Sequence, residues 1–268
     1  MKRYISAAAN VNIGKLRENN EDNFYFNGKF LTEKTQNKSV EFDAVCVDER
    51  QLYAVCDGMG GEQLGELASL LTVETLHKRA GVLKTSEKNI DEELERCILE
   101  ANNLIFEAQK ESGAKRIGTT LALVAVENNL VHLYNIGDSR IYIFRGGKLE
   151  QLSADHTAVA NLLKIGAITP EQAKTHPHRN RLTQYVGIDP AEMIIEAYKT
   201  TLKMKNKDVF LMCSDGLTDV VDEQEIADIL TKTGTPIEAA RELVNMALSR
   251  EGRDNITVII MKYNHTIW

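Results

Sequence analysis

Four aspartates stand where an apolar run gives way to glycine or to a loop, and their side chains suit the binding of hard metal ions. Asp57 ends the run Leu52-Tyr53-Ala54-Val55-Cys56 and precedes Gly58-Met59-Gly60-Gly61. Asp215 follows Val209-Phe210-Leu211-Met212-Cys213-Ser214 and precedes Gly216. Asp138 lies between Gly137 and Ser139, and Asp254 precedes Asn255 and a further apolar run. A buried strand must end before its carboxylate can reach solvent or a metal, and glycine then lets the backbone turn sharply and pass close by. One Asp-Gly step is ordinarily only a turn, but here the device recurs. In antiparallel neighbours the end of one strand and the start of the next share an edge. One edge can therefore collect all four aspartates, with Glu21 and Asp22 beside them. Like charges so close would cost several kcal/mol or protonate, and divalent cations remove that cost. Oxygen donors without His or Cys point to Mg²⁺ or Mn²⁺. Two such ions, roughly 3.5–4 Å apart, can share a bridging water, lower its pKa and stabilise a phosphoryl transition state. Arg17 could grip phosphate oxygens in bidentate fashion.

The elements that must position these residues are legible as blocks. The sequence predicts a first strand over 4–10, a polar loop over 14–23, and an aromatic strand Phe24-Tyr25-Phe26 followed by an Asn27-Gly28 hairpin turn. Residues 32–41 read as an exposed excursion, and 43–47 and 51–56 as strands joined by a turn at Asp48-Glu49-Arg50. Apolar residues at helical spacing predict helices over 63–77 and 91–109. Strands follow over 119–126, 130–136, 140–144 and 148–152, with links short enough to make them antiparallel neighbours. Residues 153–190 read as a flap, with a helix start at Thr169-Pro170-Glu171-Gln172 and the basic run His176-Pro177-His178-Arg179-Asn180-Arg181. Strands over 192–200 and 208–213, helix starts at Asp222 and Thr235, and a last strand over 256–263 complete the chain. Separate blocks of strands and helices with tight links make the class α+β with antiparallel sheets.

Composition narrows the function classes. The 268 residues are 43% hydrophobic and 26% charged, enough for a core of normal size. A net charge of −7 argues against nucleic acid as a partner. No apolar run approaches the ~20 residues needed to span a bilayer, and no signal-peptide core follows Met1-Lys2-Arg3. Cys46, Cys56, Cys97 and Cys213 have no metal-ligand spacing and read as reduced thiols, so the cytoplasm is the expected setting.

Arg17 with Glu21-Asp22, Asp57-Gly58-Met59-Gly60-Gly61, Gly118-Thr119-Thr120, Gly137-Asp138-Ser139-Arg140, Ser214-Asp215-Gly216 and Arg253-Asp254-Asn255 stand in one order over nearly the whole chain. In that order they resemble the type 2C metal-dependent protein serine/threonine phosphatases in their compact bacterial form. The resemblance implies a single catalytic domain over 1–268, a central antiparallel β-sandwich with helices on both sides in four layers (αββα), and metals at one end. It implies that Asp57 bridges two core Mn²⁺ or Mg²⁺ ions. Asp215 and Asp254 would hold the first ion. Glu21, partly through water, and the carbonyl of Gly58 would hold the second. Asp22 would support this shell, Asp138 with Asp215 would hold a weaker third ion, and Arg17 would bind phosphate. A hydroxide between the core ions would then hydrolyse phosphoserine and phosphothreonine in proteins, opposing a serine/threonine kinase. The enzyme is expected to act as a monomer away from membranes.

Two features depart from that pattern. Many eukaryotic relatives carry histidine at the position of Met59, a candidate general acid. Methionine cannot donate a proton, so a metal-bound water is the expected donor and the expected part of Met59 is packing. The stretch 27–48 is longer than compact members suggest and reads as a surface hairpin without a role. Gly118-Thr119-Thr120 reads as backbone packing, His156 as a structural hydrogen-bonding residue, and Trp268 as a terminal anchor or a disordered end. Two other function classes are weighed. A catalytically silent phosphoprotein-binding relative would have lost metal aspartates, and none is lost here. A two-metal phosphodiesterase acting on nucleic acid would carry a basic stripe.

Overall fold

The computed structural model describes residues 2–60, 64–85 and 89–266. Gly61, the expected helix start at Gln63 and the terminal Trp268 lie outside them. Strand β1 (Lys2–Asn12) opens the chain, and a polar loop leads to β2 (Asp22–Phe26). After the excursion come β3 (Val40–Cys46) and β4 (Arg50–Gly60), then the long helices α1 (Leu64–Thr85) and α2 (Ile90–Ser112). A strand block follows with β5 (Ile117–Thr119), β6 (Leu121–Glu127), β7 (Leu130–Ile136), β8 (Arg140–Arg145) and β9 (Lys148–Gln151). The flap holds the short helices α3 (Ala158–Lys164) and α4 (Pro170–Lys174). Then come β10 (Tyr198–Lys203), β11 (Val209–Cys213), α5 (Asp215–Thr218), α6 (Glu223–Lys232), α7 (Pro236–Ser249) and β12 (Ile256–Thr266).

Two antiparallel sheets carry this architecture, in the orders β3-β1-β12-β11-β8-β9 and β10-β7-β6-β4-β2. Strand alternation sorts the side chains into layers. Phe24, Tyr53, Val55, Phe210, Met212 and Ile259 fill the space between the sheets. Tyr25, Ala54 and Cys56, one residue out of phase, pack under α1 and α2. Leu211, Cys213, Val258 and Ile260 pack under α6 and α7. Three apolar layers separate four layers of structure, the expected αββα sandwich. Helix ends follow local chemistry: Thr169, Asp222 and Thr235 each form a capping box, and Gly113 closes α2 at φ 69°.

Several sequence expectations are corrected. The apolar strand does not stop at Asp57. β4 runs on to Gly60 by exchanging partners, with Val55 opposite Ala122 of β6 and Gly58 opposite Thr119 of β5. The Gly137-Asp138-Ser139 link is not a hairpin, because β7 and β8 belong to different sheets; Gly137, at φ 95°, turns the chain across the sandwich. The link over 47–49 likewise crosses between sheets. A short link makes neighbours, but the inward faces decide whether they pair in one sheet or stack in two. β3 starts at Val40, inside the stretch read as exposed, because it pairs along β1. β10 begins only at Tyr198 and runs to Lys203 along β7, and residues 192–197 form no strand. α1 extends past His77, with Ala80 and Leu83 still in the core. Asn27-Gly28 does form a tight turn, at φ 46° and 112°, but only the single bridge Phe26–Lys29 follows it.

Gly58 is needed for close approach, since a Cβ there would lie 2.1 Å from the Gly65 carbonyl oxygen and 2.5 Å from that of Glu21. Both contacts are backbone, so neither yields easily. Gly58→Ala should therefore cost at least about 1–3 kcal/mol of stability, read as an earlier midpoint in urea unfolding. A wild-type midpoint would show that the contact relaxes freely.

Candidate metal centre

The carboxylates meet at one end of the sandwich. Asp22 and Asp57 are directly opposed across β2 and β4. Both continue the faces that carry Phe24 and Val55, so they point between the sheets. Asp22 then reaches the other sheet. Its Oδ2 accepts from Thr257 Oγ1 at 2.7 Å and from Ser214 Oγ at 2.8 Å, at the ends of β12 and β11. Asp215 follows Ser214 directly as the first residue of α5. The backbone of Asp57 is held on both sides: its N–H donates to Thr120 Oγ1 at 2.9 Å, and its carbonyl accepts from Thr119 Oγ1 at 2.9 Å and Thr120 N at 2.8 Å. Thr120 Oγ1 also lies 2.6 Å from Ser139 Oγ, which ties the Asp57 strand to the Asp138 turn. Glu21 accepts from Gly58 N through its carbonyl at 3.1 Å. Its carboxylate lies against the first turn of α1, where a Cβ on Gly65 would stand 2.6 Å from Oε1. Arg17 Nη2 donates to Asp254 Oδ2 at 2.9 Å, and Nη1 lies 3.5 Å from Glu21 Oε2.

The electrostatics are those of excess negative charge. Burial pushes Asp57 well above the usual carboxylate range, and Asp22, Asp215, Asp138 and Asp254 push it the same way. Burial does the same to Asp215, followed by Asp138, Asp219, Asp254 and Asp22. Asp138 is raised to about 6 by burial and by Asp155, with Arg140 opposing. Asp22 is raised to about 7 by burial, with Thr257 and Ser214 opposing. Glu21 is raised by burial and lowered by Arg17. Among the described residues no three His, Cys, Asp or Glu side chains stand together closely enough, as placed, to hold a metal ion. The donors nevertheless fit hard cations. They are all oxygen, and every leading influence on Asp57 and Asp215 disfavours their charge. Asp57, Asp138, Asp215, Asp254, Glu21 and the Gly58 carbonyl are the groups that could hold such ions.

Residues without a role in the sequence reading also belong here. Asn255 donates through Nδ2 to the carbonyls of Ile13 at 2.8 Å and Asn19 at 3.0 Å, and its Oδ1 accepts from Glu21 N at 2.8 Å. It pins the Arg17 loop at both ends beside Asp254, and its place directly after that aspartate was the available signal. Thr119 and Thr120 were read as packing and prove to fix the Asp57 backbone. Asp219 lies one turn beyond Asp215, and only the helix reveals it. Met59 packs, with its methyl 2.9 Å from where a Gly118 Cβ would stand. His156 Nδ1 accepts from Gly137 N at 3.4 Å, and burial lowers its pKa, favouring the neutral ring.

The flap is stemmed by Ala158 N to Arg181 O at 2.9 Å and Thr183 N to His156 O at 2.8 Å. Its return docks Val186 on Thr119. A cavity of about 680 Å³ opens between the flap and α5, lined by Asp138, Asp215 and Asp219 and by Lys174 and Arg179 of the flap.

Comparisons with known proteins agree with this geometry. The family model described as protein phosphatase 2C matches residues 33–250. Serine/threonine phosphatase stp of Listeria innocua is 34% identical over 255 residues, covering 94% of this chain and 93% of its own. The Streptococcus agalactiae serine/threonine phosphatase structure superposes with a TM-score of 0.82 at 30% identity, over 96% of this chain and 98% of that one. The catalytic domain of the serine/threonine protein phosphatase PstP, solved in complex with two manganese ions, gives 0.78 at 29% identity, over 98% and 100%. The chain belongs to the protein phosphatase 2C family.

Raised carboxylate pKa values mean that the folded, ion-free protein holds these protons more tightly than the unfolded chain does. Their contribution is present below the unfolded value near 4 and is lost as pH rises through about 6 for Asp138 and about 7 for Asp22. The gain in Tm on replacing EDTA with Mn²⁺ should therefore widen from about pH 5 to about pH 7.5. Thermal scans showing a constant gap would contradict ion binding by these deprotonated groups.

Proposed function

We propose that this member of the protein phosphatase 2C family hydrolyses phosphoserine and phosphothreonine in proteins, with Mn²⁺ or Mg²⁺ bound at the end of the sandwich. The observation that carries the reading is the convergence of half-buried Asp57, Asp138 and Asp215, each pushed toward its uncharged form, at the end of the sandwich where Arg17 holds Asp254 and Glu21. Asp57 would face two core ions, Asp215 and Asp254 would complete the first site, and Glu21 with the Gly58 carbonyl would complete the second. Asp138 and Asp215 would share a third, weaker ion. Bound there, the core ions would supply a hydroxide at neutral pH and the positive charge that a phosphoryl transition state needs.

The chain's own residues do the rest. Asp22 spends its carboxylate on Thr257 and Ser214, so it holds the two sheets at the spacing the ligands need. Arg17 has five N–H donors, and its contacts with Asp254 and Glu21 leave others for phosphate oxygens. It would bind and orient the phosphate in line with attack. Met59 has no proton to give, so the proton for the leaving serine or threonine oxygen would enter from ordered solvent on the Asp138 side.

We take 1–268 as one catalytic domain with a flap subdomain at 153–190; both sheets share one inner core. The partners would be phosphorylated proteins, a cognate serine/threonine kinase among them, and neither nucleic acid nor membrane. Among the described residues no helix is long and apolar enough to cross a membrane. A monomer working in the cytoplasm completes the reading; the four cysteines stand as free thiols, the state that a reducing compartment maintains.

Phosphopeptide turnover should depend on Mn²⁺, disappear with chelator, and fall by several orders of magnitude in Asp215→Asn. Equal activity in all three would sink the reading. Asp138→Ala should keep two tight Mn²⁺ ions by titration. It should lose most turnover on phosphopeptide and less on an aryl phosphate, whose leaving group needs little proton donation. Wild-type phosphopeptide turnover in that variant would remove Asp138 from the mechanism.

A further inference from the structure

The stretch 27–48 reads as a surface hairpin without a role, yet its residues 29–38 send a buried side chain under the loop that carries Glu21. Gln36 is only 3% exposed. Its Nε2 donates to the carbonyls of Asn20 at 3.0 Å and Asp22 at 2.8 Å, the residues on either side of Glu21. Its Oε1 accepts from Asn23 Nδ2 at 3.0 Å, and its own carbonyl accepts from Asn20 Nδ2 at 3.0 Å. Asn37 Oδ1 takes the Asn20 N–H at 2.7 Å. The segment is anchored in turn. Leu31 is buried between the sheets, and its backbone N–H and carbonyl both pair with the Asn23 side chain at 3.0 Å. Buried amides are costly unless fully paired, and here Gln36, Asn20 and Asn23 pair with one another and with the backbone around Glu21. Asn255 and Gly58 hold the remaining N–H and carbonyl of Glu21 from the opposite side.

We propose that the 29–38 segment is a brace for the metal-binding loop and that Gln36 is a positioning residue acting through Glu21. The inference rests on the reading above that Glu21 holds an ion. A carboxylate reaching an ion from an irregular loop depends on the peptides around it. One amide group holds the 20–21 peptide through the Asn20 carbonyl and the 22–23 peptide through the Asp22 carbonyl, while the Gly58 N–H holds the 21–22 peptide between them through the Glu21 carbonyl. Loss of partners behind metal ligands commonly lowers affinity about 10–100-fold.

The test is calorimetric titration of Mn²⁺ into the metal-free protein, a readout independent of turnover. Gln36→Met keeps the length and apolar packing of the side chain and removes its hydrogen bonds. It should weaken one tight site about tenfold and leave the other intact. KM for an aryl phosphate at saturating Mn²⁺ should be unchanged. In a Glu21→Gln background the same substitution should have little further effect on Mn²⁺ affinity. Asn37→Ala, at an exposed position, should weaken the same site by a smaller factor, and it serves should Gln36→Met fail to fold. A lowered Tm with wild-type Mn²⁺ affinity would reduce the brace to packing and overturn the proposal. An undiminished tenfold loss in the Glu21→Gln background would overturn action through Glu21. Full Mn²⁺ affinity in Glu21→Gln alone would remove the ligand role on which the brace depends. Failure of the wild type to turn over phosphopeptide would count against the function instead, since the brace is read from binding alone.

Discussion

Asp22 and Asp57 stand directly opposite each other on neighbouring strands, a like-charged pairing that ordinarily destabilises a sheet. Much of the architecture around the site compensates for it. Asp22 turns its charge to two hydroxyls of the other sheet, which links the sheets at the end where Asp57 and Asp215 must stay close. Among the described residues Asp57 has no comparable donor on its carboxylate, and its backbone is fixed by Thr119 and Thr120 instead. The hydrogen bonds around Asp57 thus fix where its carboxylate stands and do not offset its charge.

That constraint explains why β4 continues past Asp57. If the strand ended there, Asp57 and the Gly58 carbonyl would belong to a free loop. By passing from β6 to β5, β4 stays paired through Gly60, and absence of a side chain at Gly58 admits the backbones of Glu21 and Gly65. β5 is in turn paired with Val186 at the base of the flap. The strand that fixes Asp57 therefore also receives the segment that closes the cavity. The acidic loop is handled differently. It has no regular structure of its own, and side-chain amides from Asn255 and Gln36 replace the missing strand partners.

Much of this was legible in the residues themselves. The four aspartates were marked by where apolar runs end, and the strands by composition, because both signals are local. Layer membership was not local. The link at Asp138 looked like a hairpin because its length permits one, and only the packing of inward faces assigns β7 and β8 to different sheets. The excursion looked exposed because it is polar, and polarity does not distinguish a side chain hydrated by water from one hydrogen-bonded to buried backbone.

Residue type alone pointed to an oxygen-only donor set, and local order gave the α+β class and the helix caps, since each depends on neighbours in the chain; the family was legible from six motifs standing in one order over nearly the whole chain. The tertiary structure alone decided which carboxylates face one another, that Asp22 joins the sheets while Asp57 is held by its backbone, and that Asn255 and Gln36 hold the acidic loop. Asn255 and Glu21 are 234 positions apart, and no local pattern specifies a hydrogen bond across such a separation; it exists because β1 and β12 lie side by side.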